Sequence, residues 1–108
     1  MKRIKFKVAY HDFIDDEDIF PEINGYLIDI EGIKVVLHHT YHLYESRLIK
    51  CKIVWNASEY YSGRSIARYG SSRKDILKIA TDEILNVIKK RGITRVMKII
   101  NKAPKINN

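Results

Sequence analysis

The chain has one cysteine, two prolines and no long apolar run among its 108 residues. Cys51 alone excludes an internal disulfide framework and a cysteine-only metal site. Apolar stretches such as Val35-Val36-Leu37 fall far short of the roughly 20 residues that cross a bilayer, so no membrane partner is expected. Met1-Lys2-Arg3-Ile4-Lys5-Phe6-Lys7 puts charges where a secretory signal would be apolar, so the expected location is the cytoplasm. The five glycines are scattered at 25, 32, 63, 70 and 92. Each fits a turn or helix boundary, and none builds a phosphate-cradling loop. No serine sits in a Gly-x-Ser-x-Gly elbow.

What is present is a core-forming, strongly charged composition of 45% hydrophobic and 31% charged residues, enough for one domain over 1–108. The net charge is +7, unevenly spread. Through Glu45 there are 5 basic and 9 acidic residues, and beyond it 15 basic and 4 acidic, so the two parts carry −4 and +11. Such asymmetry can give a basic face able to meet phosphates or an acidic protein patch. Lysine-rich surfaces also serve solubility.

Ile4, Phe6, Val8 and Tyr10 alternate with polar or small residues, the period of a half-buried strand. Asp12 to Asp18 breaks that pattern, and Pro21 supports a loop. Tyr26 to His39 reads as a hairpin turning at Glu31-Gly32. Residues 40 to 47 have no clear period and are expected to form a loop or short helical turn. Alternation resumes at Ile49, Cys51, Ile53, Trp55 and Ala57, with Cys51 on the apolar face and Trp55 as a core anchor. Ser62-Gly63 supplies a turn, and Arg64 to Tyr69 a fifth strand. Ser72 caps a long helix with Asp75 at its N3 position. Ile76, Ile79, Ala80, Ile84, Val87 and Ile88 mark the buried stripe, and Gly92 the stop. A shorter helix follows, ended by Pro104. The expected fold class is α+β: an antiparallel sheet of about five strands within 1–70, one covering helix over 71–91 and a short helix over 94–103.

Several residue groups could carry chemistry. His38 and His42 would share a face of a helix at a spacing metals use, although no glutamate sits between them as in a zinc-protease helix. Asp12, Asp15, Asp16, Glu17 and Asp18 form an acidic run without calcium-loop spacing. Such a run is a solvated loop, or a surface that imitates phosphates or pairs with a partner's arginines. Tyr60, Tyr61 and Tyr69 lie beside Arg64 and Arg68, close in sequence to Arg73, Lys74 and Lys78. Aromatic and basic groups together can stack bases and hold phosphates, or simply pack across strands. No catalytic residue, cofactor or metal is expected.

Gly70-Ser71-Ser72-Arg73-Lys74 followed by a helix resembles the last part of a double-stranded-RNA-binding domain, where a glycine turn and basic cluster clamp phosphates. More broadly, a basic first strand and a glycine-centred hairpin open the chain. Trp55-x-x-Ser58-Glu59-x-x-Ser62-Gly63-x-x-Ile66-x-x-x-Gly70 and an amphipathic helix follow. This outline, over residues 3 to 90, resembles small proteins of phages, plasmids and conjugative elements. Among these are inhibitors of host defence, including anti-CRISPR proteins. The resemblance implies a non-catalytic inhibitor whose partner is a host defence protein or ribonucleoprotein complex. The alternative is direct RNA or DNA binding by the basic, tyrosine-rich face. Uncovered sheet and the second basic helix leave room for a homodimer.

Overall fold

Val35, Val36 and Leu37 are all fully buried. A strand buries consecutive residues only when both of its faces are covered. These three residues lie on the central strand of a five-stranded antiparallel sheet, and the rest of the architecture follows from what covers each side. The computed structural model describes residues 1–12, 15–45 and 47–108.

The strands are β1 (Lys2–Lys7), β2 (Tyr10–Asp12), β3 (Glu17–Ile19), β4 (Glu22–Ile30), β5 (Ile33–Tyr44), β6 (Arg47–Glu59) and β7 (Ser65–Gly70). They precede the helices α1 (Arg73–Arg91) and α2 (Ile93–Lys102). The main sheet has the order β1-β4-β5-β6-β7, and β2 and β3 pair separately as a small hairpin. The α+β class, the long helix and the short terminal helix agree with the sequence expectation.

The β4–β5 turn is a two-residue loop with positive φ at both Glu31 and Gly32, the geometry that matches strand twist. The Gly32 N–H donates to Asp29 Oδ1 at 2.8 Å, fixing the turn. Ser72 caps α1, its hydroxyl accepting from the Asp75 N–H at 3.0 Å. At the far end the Gly92 N–H closes onto the Ile88 carbonyl at 2.7 Å.

The helix side of the sheet holds the larger core. Ile30, Ile33, Val35, Leu37, Ala57 and Ala67 meet Ile76, Ala80 and Ile84 of α1 and Val96 of α2. The other side is also buried, around Phe6, Val8, Ile23 and Val36. Here the sequence expectation of one apolar face under one helix needs correction. Beyond β1 the Val8 N–H donates to the Pro21 carbonyl (3.1 Å) and the Ala9 N–H to the Gly63 carbonyl (3.0 Å). The C-terminal tail completes the closure. The Asn107 side chain accepts from the Lys7 N–H (2.8 Å) and donates to the Lys7 and Tyr60 carbonyls, both at 2.7 Å. These bonds tie the β1 edge to the β6–β7 turn, so that the sheet curls around its second core. Gly63 is required at that junction: its φ is +67°, and a Cβ there would lie 2.7 Å from the Lys7 oxygen and 2.8 Å from the Ala9 nitrogen.

Two further corrections concern the β5–β6 hairpin. Residues 40 to 44 continue β5 and Arg47 opens β6, so the segment expected as loop is a paired arm; Ser46 lies outside the described residues. His39 stands opposite Trp55, but Thr40 stands opposite Cys51, so Lys52, Ile53 and Val54 bulge out. A bulge re-aims the strand. Ile53 is therefore 78% exposed and Ile49 is exposed too, rather than on an apolar face with Cys51, which is half-buried.

Candidate nucleic-acid interface

Opposed residues on neighbouring strands share a face of the sheet. Arg3 pairs with Tyr26, Tyr26 with Leu37, Leu37 with Ala57 and Ala57 with Ala67. Since Leu37, Ala57 and Ala67 pack under α1, Arg3 and Tyr26 lie on the same side as the helix. Past the start of α1 this side carries a row of rings. The Arg73 guanidinium sits over Tyr26, 4.5 Å from the ring centroid. Tyr26 is 6.2 Å from Trp55, and Trp55 is 4.0 Å from His39, centroid to centroid. Arg3 and Lys50 border the same shallow depression, about 130 Å³ in volume. Tyr26, His39 and Trp55 are half-buried, and the three cations around them are exposed. Trp55 packs against the helix-side core, as expected of an anchor, and, being half-buried, lends its remaining surface to this platform.

Electrostatics keep the platform basic yet let His39 stay neutral. Burial, and then the nearby Lys50 ammonium, pull the His39 pKa below its ordinary value. Arg73 opens α1, and just before it the Ser71 N–H and hydroxyl both donate to Asp75 Oδ2. The Ser71 N–H bond, followed by that hydroxyl, holds the Asp75 carboxyl below the usual carboxylate range.

The eight residues of the expected basic face do not form one surface. Arg73 belongs to the platform, and Lys74 and Lys78 are exposed along α1. Tyr60 and Tyr61 sit near the C-terminal tail, their rings edge to face at 5.1 Å. The Tyr60 hydroxyl donates to the Asn108 carbonyl at 2.8 Å, and Lys34 and Lys105 each place Nζ 5.5 Å from the Tyr61 ring centroid. Arg64 is exposed beside the end of α2 and borders a hollow with Ile99 and Lys102. Arg68 and Tyr69 stand at the mouth of a cavity on the opposite face.

The acidic run forms the β2–β3 hairpin rather than an open loop. Asp15, Asp16, Glu17 and Asp18 are exposed, and Asp12 is buried; Phe13 and Ile14 lie outside the described residues. His11 lies 3.3 Å from Asp16 and 2.9 Å from Asp18. Asp12, Asp15 and Glu17 bring carboxylate oxygens within 4.8 Å of one another.

The histidine cluster reads differently in an extended strand. His38 and His42 are separated by roughly 13 Å of strand, too far to share an ion as they would on a helix. His38 instead bonds through both nitrogens, Nδ1 to the His39 carbonyl and Nε2 to Ser58 Oγ, each at 2.8 Å. With Nδ1 donating to a carbonyl, Nε2 accepts the serine proton. Burial pushes the His38 pKa down to about 4. A serine–histidine pair of this kind is poorly placed to abstract the hydroxyl proton, because the imidazolium formed would be desolvated. Sequence reasoning missed this pair and the platform. Strand parity could have joined Arg3 to Tyr26, but the β5–β6 register that sets His39 opposite Trp55, just before the bulge, has no local sequence signal.

No helix among the described residues is long and apolar enough to cross a membrane. No family model, curated protein or solved structure matches the chain.

Proposed function

We propose that this chain is a non-catalytic nucleic-acid-binding protein that holds a single strand on the platform beside the start of α1. The observation that carries the reading is the unbroken row Arg73–Tyr26–Trp55–His39 with Arg3 and Lys50 at its edges. Base stacking on aromatic side chains needs no particular sequence, and flanking cations neutralise phosphates. A duplex hides its base faces, so the preferred ligand is unpaired RNA or DNA.

Trp55 is the only tryptophan in the chain, which makes it a reporter at the proposed site. Titration with a labelled single-stranded oligonucleotide should quench its emission, and affinity should fall linearly with the logarithm of salt concentration. Arg73→Ala should weaken binding and lower the salt slope by about one. Unchanged emission at low salt, with no binding by anisotropy, would refute the reading.

The acidic β2–β3 hairpin favours a second reading, that of an inhibitor from a phage or mobile element acting on a host nucleic-acid-handling defence complex, a CRISPR effector among them. Four exposed carboxylates on consecutive residues offer negative charge of the kind a phosphate-binding groove accepts. Pull-down from a bacterial lysate separates the two. A stoichiometric protein partner that survives nuclease and is lost on Asp15→Lys/Asp16→Lys substitution supports inhibition. Recovery that vanishes with nuclease supports direct binding.

A further inference from the structure

His38 and Ser58 follow Leu37 and Ala57 in sequence, so their side chains point away from α1, to the concave side of the curled sheet. A cavity of about 400 Å³ opens there, a size typical of small-molecule sites. Its apolar part includes Val8 and Ile23, and Tyr10 and Tyr41 add aromatic wall. The His38–Ser58 pair contributes polar groups that already satisfy one another.

The rim is what points to a ligand. Tyr69 is 77% exposed and adopts φ +67°, a backbone state that tyrosine seldom takes. Asn56 Oδ1 accepts from the Tyr69 N–H at 3.3 Å, which steadies that conformation and leaves the Asn56 NH2 as a donor. Beside it the Arg68 Nε donates to Ser65 Oγ at 3.1 Å, fixing the guanidinium while its terminal nitrogens stay available. Among the described residues no carboxylate pairs with Arg68. The strained backbone at Tyr69 leads the chain from β7 into the Ser72 cap of α1, and it also presents an exposed ring next to an orientated, unneutralised cation. Such strain recurs where a ligand is bound.

We propose that this cavity binds a small planar aromatic ligand bearing one anionic group. The ring lies against Tyr69, the anion meets Arg68, and the Asn56 NH2 supplies a further donor. The site is on the opposite face from the platform and does not rest on the nucleic-acid reading. Nucleotides and simple aromatic acids share this chemistry, and the test separates them.

Amide chemical shifts of the full chain are followed by NMR during titration with adenosine 5′-monophosphate, benzoate, adenosine and inorganic phosphate. The expected result is saturable shifts at Asn56, Arg68 and Tyr69 with one of the two aromatic anions, and about tenfold or more weaker binding of adenosine and phosphate. Stronger binding of the monophosphate marks a nucleotide site, and stronger binding of benzoate an aromatic-acid site. Arg68→Ala should weaken binding about tenfold. Tyr69→Gly should weaken it similarly while the melting temperature holds or rises, because glycine relieves the backbone. The proposal is overturned if neither aromatic anion shifts these residues at millimolar concentration, if phosphate alone binds as well, or if both substitutions leave affinity unchanged.

Discussion

The two faces of the sheet are buried by different means. On one, α1 lays a periodic stripe of isoleucines and alanine over Val35, Leu37 and Ala57. On the other, no helix lies among the described residues; the segment after β1 bonds to Pro21 and to the β6–β7 turn, and the last residues pin it in place. The first face is held by apolar area that recurs along one element. The second depends on a few hydrogen bonds between residues as much as 100 positions apart. A cover built on few contacts is the one that single substitutions should loosen locally, and the chain's uncommon groups collect there: a buried histidine–serine pair, a strained tyrosine and an open cavity.

Removing one large core side chain from each face gives the largest effect and tests the contrast directly. Phe6 and Ile76 are each almost completely buried, on the concave and helix sides respectively. Phe6→Ala should cost about 4 kcal/mol and Ile76→Ala about 3 kcal/mol, measured by urea denaturation. The comparison is sharpened by amide exchange. Phe6→Ala should speed exchange in β1 and around residues 60–63 before it affects α1, whereas Ile76→Ala should do the reverse. Equal acceleration everywhere in both variants would mean that the two covers unfold as one unit.

This contrast also explains which parts of the fold were legible in the sequence. Ser72 with Asp75, the isoleucine stripe and Gly92 announce α1 because capping and 3.6-residue periodicity are local properties. Glu31-Gly32 announces the β4–β5 turn for the same reason. The second core was hidden because Asn107 looks like any tail residue until its amide meets Lys7 and Tyr60. Residues 40 to 47 show no clear period because an aromatic residue, Tyr44, lies on the exposed side with His42, while Tyr41 and Leu43 are half-buried and Tyr41 packs against the second core. The candidate basic face split for another reason. Tyr60, Arg68 and Arg73 are close in sequence, but a turn and a strand separate them in space. Of the platform only Arg73 stands among the candidate site residues of the sequence, since Arg3, Tyr26, His39 and Trp55 arrive from four different strands.

Acid should loosen the concave side next. The folded-state pKa of His38 is about 4, against an ordinary value of 6.5, with burial as the main cause. The unfolded chain therefore binds the extra proton between those values, and folding opposes it. Stability should be fully present above about pH 6.5 and fall as pH drops towards 4, by on the order of 3 kcal/mol in total. His38→Gln, which cannot titrate, should remove this component of the pH slope whatever its effect on absolute stability. An unchanged slope in that variant would place the acid sensitivity elsewhere.

Asn107 provides the smallest and most local test. Its side chain acts as a stand-in strand for the outer edge of β1, accepting from one backbone group of Lys7 and donating to another, with a third bond to the Tyr60 carbonyl. Asn107→Ala leaves part-buried backbone groups of Lys7 and Tyr60 without that partner and should cost about 1 kcal/mol, with the Lys7 amide losing exchange protection. Asn107→Asp keeps the acceptor but turns a carboxylate oxygen towards two carbonyls, so it should cost more than alanine despite its closer shape. Asn101→Ala, at an exposed position on α2, should stay within about 0.5 kcal/mol of the parent. If aspartate proves milder than alanine, the donor bonds to Lys7 and Tyr60 contribute little, and the tail closes the sheet through Ile106 and its backbone alone.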